Sequence, residues 1–194
     1  MGKREARREK QRRKKLQNRL ITGSVAILAL LIVGFLGWQA VRPPEGETFP
    51  IMGNSDEHIE EGSDPGPFNS NPPTSGRHYG GEYDAGFYTA SSPEAQVPYP
   101  EGYLGHNLEH GYVIFWYNCE LLDAPDCENL KSEIQDVMDN YDNFKLIAFP
   151  SDSLEEPLVM VSWGQMLRFE TFDKGLASKF ISANRNQAPE PNAP

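Results

Sequence analysis

Tyr112-Val113-Ile114-Phe115-Trp116-Tyr117 is a run of β-branched and aromatic side chains without a single charge or amide. A segment this apolar has no face to give to water, so it reads as a strand buried on both sides within a sheet. Downstream of it, Leu130, Ile134, Val137, Met138 and Tyr141 recur at helical spacing and form one apolar stripe, with Asp123 or Asp126 placed as N-cap. Phe144 to Phe149 and Leu158 to Trp163 read as two further strands, Pro150 and Pro157 flank the loop between them, and Met166 to Glu170 reads as a fourth. Asp173 then caps a helix reaching about Asn184, whose stripe is Leu176, Phe180 and Ile181. The order strand, helix, strand, strand, helix specifies a single α+β domain with a mixed β-sheet and two main helices.

Upstream of the decisive run the chain changes character. His58 to Gly105 is rich in Pro, Gly, Asn and Ser, and few stretches carry either period. Long structured loops are expected there, and loops of that length inside a compact domain are commonly functional. The domain is therefore expected over residues 58–184. Residues 42–57, rich in Pro, Gly and acid, read as a stalk, and residues 185–194, with three prolines from Gln187 onward, as a disordered tail.

Charge is divided along the chain. Residues 1–20 hold ten Lys/Arg against Glu5 and Glu9, whereas residues 43–194 hold seven basic and 26 acidic residues. So acidic a body repels polyanions, which argues against nucleic acid as a partner of the folded part. Between the two lies Leu20 to Val41, 22 residues without a charge, about 33 Å as a helix and enough for a bilayer core. It reads as one transmembrane helix. The basic arm, residues 1–19, should stay in the cytoplasm, and the acidic domain should lie on the extracytoplasmic side of the cell membrane. A cleaved signal peptide is the competing reading. The apolar run exceeds the usual h-region of about 7 to 15 residues, and Trp38 would stand at the −3 position of a cut after Ala40. The bilayer is thus the one partner the sequence specifies.

Only two cysteines occur, Cys119 and Cys127, both beyond the apolar segment. An exported domain makes a disulfide their natural state, with structural zinc as the rival reading.

The chemistry-bearing residues gather just before the decisive strand. His106-Asn107-Leu108-Glu109-His110 places two imidazoles at i and i+4, on one side of a helix, with a carboxylate beside them. In a strand the same residues would stand about 13 Å apart, beyond shared ligation, so the reading depends on a short helix. Pro100 and Gly102 limit that helix upstream and Gly111 ends it. His-x-x-Glu-His is also the inverted zinc-peptidase pattern, but the long flanking helix of such enzymes is absent. His78 is the best further ligand, because Asn69 to His78 contains adjacent prolines and a glycine that fix the backbone. His58 is a further candidate near the stalk. The plainer reading is that these histidines are hydrogen-bonding members of a polar core.

Asn71 to His78 (NPPTSGRH), then His106 to Gly111 (HNLEHG), then an aromatic strand ending in Tyr117-Asn118-Cys119, resemble the family called domain of unknown function 3105. Val161-Ser162-Trp163-Gly164 and Phe172-Asp173 are also similar to it. Arg77 departs from the proline, and Asn107 from the serine, that the resemblance leads one to expect. The resemblance implies a membrane helix before an exported domain, and motif positions at His78, His106, Glu109 and His110; it brings no reaction with it. The expectation is a divalent transition metal, zinc or copper first, on His78, His106 and His110, with His58 as a further ligand. Glu109 would serve as base or orienting group. A non-enzymatic interaction module with a polar histidine core, a metal-dependent hydrolase, and a pH sensor built from the clustered histidines and carboxylates are the alternatives.

Overall fold

The computed structural model describes residue 2, residues 20–24, 27 and 30–33, and residues 46–193. The chain divides into two compact units, Met1–Pro43 and Pro44–Pro194. The described residues between 20 and 33 are helical. Much of the expected span Leu20 to Val41, and nearly all of the basic arm, lies outside the described residues. Among the described residues no helix is long and apolar enough to cross a membrane.

The second unit is α+β. Its strands are β1 (Glu47–Thr48), β2 (His58–Ile59), β3 (His78–Tyr79), β4 (Gly86–Phe87), β5 (Val113–Tyr117), β6 (Leu146–Pro150), β7 (Leu158–Ser162) and β8 (Gln165–Phe169). Its helices are α1 (Glu101–Glu109), α2 (Ala124–Asp139) and α3 (Lys174–Asn184). Six strands form one mixed sheet in the order β1-β8-β7-β5-β6-β4, and β2 and β3 form a separate parallel pair. The decisive run occupies the middle of the sheet: β5 is parallel to β6, with Ile114 opposite Ile147, and antiparallel to β7, with Phe115 opposite Met160.

Alternation along β5 divides the core. Val113, Phe115 and Tyr117 point to one face and pack with Leu130, Ile134 and Val137 of α2 and with Ala177, Phe180 and Ile181 of α3. Ile114 and Trp116 point to the other face, where Leu104 and Leu108 of α1 cover them. The sheet is therefore sandwiched, which is why its central strand had to be apolar throughout. Helix α2 starts where the side chain of Asp123 accepts from the Asp126 amide, 3.0 Å away, with Pro125 in its first turn. Cys119 and Cys127 are disulfide-bonded, with Cα atoms 5.3 Å apart, and tie the end of β5 to the first turn of α2. Among the described residues there is no free cysteine, so the zinc reading of this pair is set aside.

Several boundaries differ from those expected. Phe144 is 53% exposed and precedes β6, because Asp142, Asn143 and Lys145 take positive φ in the turn after α2. Leu176 is 39% exposed; Ala177 takes its place in the buried stripe of α3, one residue further round the helix. The stalk ends sooner than expected, since Glu47 and Thr48 pair with Met166 and Gln165 and cover the edge of β8. Residues 185–193 are not a free tail: Asn186 donates its amide to Gly111 and Glu190 donates to Glu109, at 2.9 and 3.0 Å. A segment without large apolar side chains is here held by backbone hydrogen bonds, which hydropathy does not register.

Candidate metal centre

Two elements carry the site, α1 and the β2–β3 pair, and glycines let them approach. A Cβ on Gly102 would fall 2.3 Å from the Tyr79 ring, and one on Gly105 would fall 2.8 Å from the Cβ of His78. Gly102, expected to limit the helix, instead lies within it because the ring of Tyr79 occupies the space of a side chain there. The helix continues to Glu109. Gly111 takes φ +84°, its amide bonds the Leu108 carbonyl, and the Tyr112 amide bonds that of Asn107, the paired bonds of a Schellman ending. His106 and Glu109 thus lie on the last turn, and His110 is the residue that closes it.

His78 is fixed from the other side. In the loop before it, the Asn69 side-chain amide donates to the Pro50 carbonyl and to the hydroxyls of Thr74 and Ser75, the Ser70 hydroxyl donates to the Pro72 carbonyl, and Ser75 accepts from the Met52 amide. Thr74 and Ser75 are buried with their polar groups paired, so the loop is a closed polar knot that fixes the direction of β3. Parallel pairing then sets His58 directly opposite His78, with the two rings 4.8 Å apart.

All four histidines meet at the end of α1. His58 stacks on His106 at 5.1 Å, and His106 meets His110 edge-on at 4.4 Å. The hydrogen bonds assign protons. His78 Nδ1 lies 3.0 Å from the Gly76 carbonyl and His106 Nδ1 lies 2.7 Å from the Tyr79 carbonyl. A carbonyl only accepts, so both rings carry hydrogen on Nδ1, and in the neutral ring Nε2 is a lone pair. His110 Nδ1 faces a Glu82 carboxylate oxygen at 2.7 Å and is a donor as well. The three Nε2 atoms then face other acceptors. His106 Nε2 stands 3.0 Å from His110 Nε2, and His78 Nε2 stands 3.0 Å from Glu109 Oε2. Burial pushes the His106 imidazole below its ordinary pKa range and so favours its neutral form, although the Tyr79 carbonyl pulls partly the other way.

The ligating atoms fall into two overlapping groups, His58 with His78 and His106, and Glu82 with His106 and His110, each within 4.8 Å. His106 belongs to both; His78 and His110 do not share a group. Two bonds of about 2.0–2.1 Å in a tetrahedral site set their donors about 3.3 Å apart. The 3.0 Å between His106 and His110 and the 3.6 Å between His58 Nε2 and Glu109 Oε2 bracket that value. Nδ1 of His78, His106 and His110 is in each case held by a carbonyl or carboxylate, the usual outer partner of a ligating imidazole. The donor set thus fits a zinc-like or copper-like cation. His58, with its side chain 51% exposed, marks the open side, and Glu109, 7% exposed, lies beneath it.

Two contributors had no signal in the sequence. Glu82 is placed by Asn107, whose buried side chain bonds both the amide and the carbonyl of the next residue, Tyr83, at 3.1 and 2.8 Å. Glu190 arrives from the far end of the chain, its carboxylate 3.7 Å from His110 Nε2. A separate cavity of about 490 Å³ opens past the ends of the parallel strands β5 and β6, lined by Trp116, Asn118, Phe149 and Ser151, and it shares none of the histidines.

No curated protein and no solved structure matches this chain. A family model described as a protein of unknown function, DUF3105, matches residues 63–194 and so takes in His78, Glu82, His106, Glu109, His110 and Glu190, with His58 just outside. The chain, matched over most of its length, belongs to the DUF3105 family.

Proposed function

We propose that this is a membrane-anchored protein whose extracytoplasmic domain holds a divalent transition-metal ion, zinc or copper, between Nε2 of His106 and Nε2 of His110, with His78 and His58 forming the adjoining group on the other side of His106. One observation carries the reading: the Nδ1 atoms of three histidines are tied to acceptors, which turns their Nε2 atoms toward each other and toward Glu109, where neutral rings present lone pairs with no proton between them. A cation removes that conflict, and protonation of two rings is the alternative way to remove it. The anchor rests on the uncharged stretch from Leu20 to Val41 and the basic arm before it.

Hydrolysis is a second reading, favoured by one feature. Glu109 lies buried beneath the site with its carboxylate 3.0 Å from His78 Nε2 and 3.6 Å from Nε2 of the exposed His58, where it could act as base on a water entering from the His58 side. The full chain in detergent, dialysed and assayed for metal, should retain about one equivalent of zinc or copper, and His106→Ala should retain none. A wild-type chain that stays metal-free after loading with either ion, in the presence of a folded far-UV spectrum, refutes the proposal and leaves the cluster as a polar core.

A further inference from the structure

Lys145 is buried, only 5% exposed, in a domain with a large excess of carboxylates, and among the described residues its ammonium bonds backbone carbonyls rather than carboxylates. It donates to three carbonyls: His110 at 2.9 Å, Pro191 at 3.0 Å and Ala193 at 2.8 Å. The first is the carbonyl that closes α1, and the other two belong to the C-terminal segment. A cation at a helix C-terminus satisfies its free carbonyls and its dipole, and here the same cation ties down a second piece of chain. The Asn186 amide on the Gly111 carbonyl and the Glu190 amide on the Glu109 carbonyl complete the attachment. Residues 186–193 therefore run as a strap across the end of α1, and the side chain of Glu190 meets the histidine cluster. Glu190 Oε2 lies 3.7 Å from His110 Nε2, the same nitrogen that faces His106, while the carboxylate stays 61% exposed.

We infer that Glu190 is the solvent-side carboxylate ligand of the metal centre, a hard oxygen donor that the strap delivers to His110, with Lys145 as the residue positioning the strap. The inference rests on the metal reading above and adds a selectivity to it. An oxygen donor strengthens binding of zinc and similar divalent ions and offers little to monovalent copper, which prefers imidazole and sulfur. The arrangement also explains why a segment too polar to fold by itself is held so firmly at this place.

The test uses the full chain in detergent and two titrations against competing chelators, one with Zn(II) and one with Cu(I). Glu190→Gln, an exposed change that leaves the strap's backbone bonds intact, should weaken Zn(II) about tenfold, at the lower end of what loss of a partner to a metal site costs, and leave Cu(I) unchanged. Lys145→Met should weaken Zn(II) similarly, and the double variant should be no weaker than either single one, because both act through the same carboxylate. A wild type that binds zinc and a Glu190→Gln variant that binds it equally well overturn this inference alone. A wild type that binds neither ion overturns the metal reading together with it. Equal weakening of Zn(II) and Cu(I) overturns the inference too, since it marks Glu190 as a structural prop.

Discussion

His106 is the residue on which the site turns. It is the one member common to both ligand groups, its Nδ1 is committed to a backbone carbonyl, and burial lowers its pKa. The sign of its effect on stability follows. Below about pH 6.5 an unfolded His106 takes up a proton that the folded one refuses, so its contribution is complete above that pH and falls as the pH drops toward the lowered folded value. With chelator present, the stability difference between wild type and His106→Gln should shrink as pH falls from 7.5 to 5; a difference that grows would contradict the assignment of a neutral ring. The imidazole pair His106 and His110 was legible in the sequence because both lie within one turn of the same helix. Glu82 was not, since its position depends on the Asn107 side chain gripping the Tyr83 backbone 24 residues away.

At the level of elements, the site is a contact between α1 and β3, and its closeness is set by missing side chains. Gly105→Ala would insert a methyl 2.8 Å from the His78 Cβ. Alanine favours a helix over glycine by about 1 kcal/mol, while crowding a packed contact costs about 1–3 kcal/mol. Crowding should win here because the neighbour belongs to a buried strand held by its own loop. The variant is expected to be about 1 kcal/mol less stable by urea denaturation and to bind metal more weakly, as His78 is pushed from its place. Stability and affinity both at wild-type level would mean that α1 and β3 can move apart freely. The sequence marks these glycines only as interruptions: Gly102 was read as limiting the helix, whereas the Tyr79 ring that requires it is invisible to any local pattern.

Across the whole molecule, one acidic domain follows a basic arm and an uncharged stretch, and that order leads to a topology that can be measured. In spheroplasts a membrane-impermeant amine reagent should label Lys131, Lys174 or Lys179 of the domain and spare the lysines of residues 1–19, and alkaline washing should leave the chain with the membrane. Labelling of the arm, or loss of the chain to the wash, would remove the proposed anchor.

What the sequence determined by itself is what short-range periodicity and composition encode. The apolar run at β5 demanded a sheet covered on both faces, the stripe from Leu130 to Met138 demanded α2, and the two cysteines gave their disulfide. Tertiary structure alone decided which polar residues would meet. His58 reached the cluster by strand pairing with His78, Glu82 by the grip of Asn107, and Glu190 by a strap of backbone bonds to α1 and Lys145. Hydrophobic pattern reports which side chains leave water, a property each segment carries alone. Ligand convergence depends on donor and acceptor geometry between segments far apart in the chain, and no window of neighbouring residues contains it.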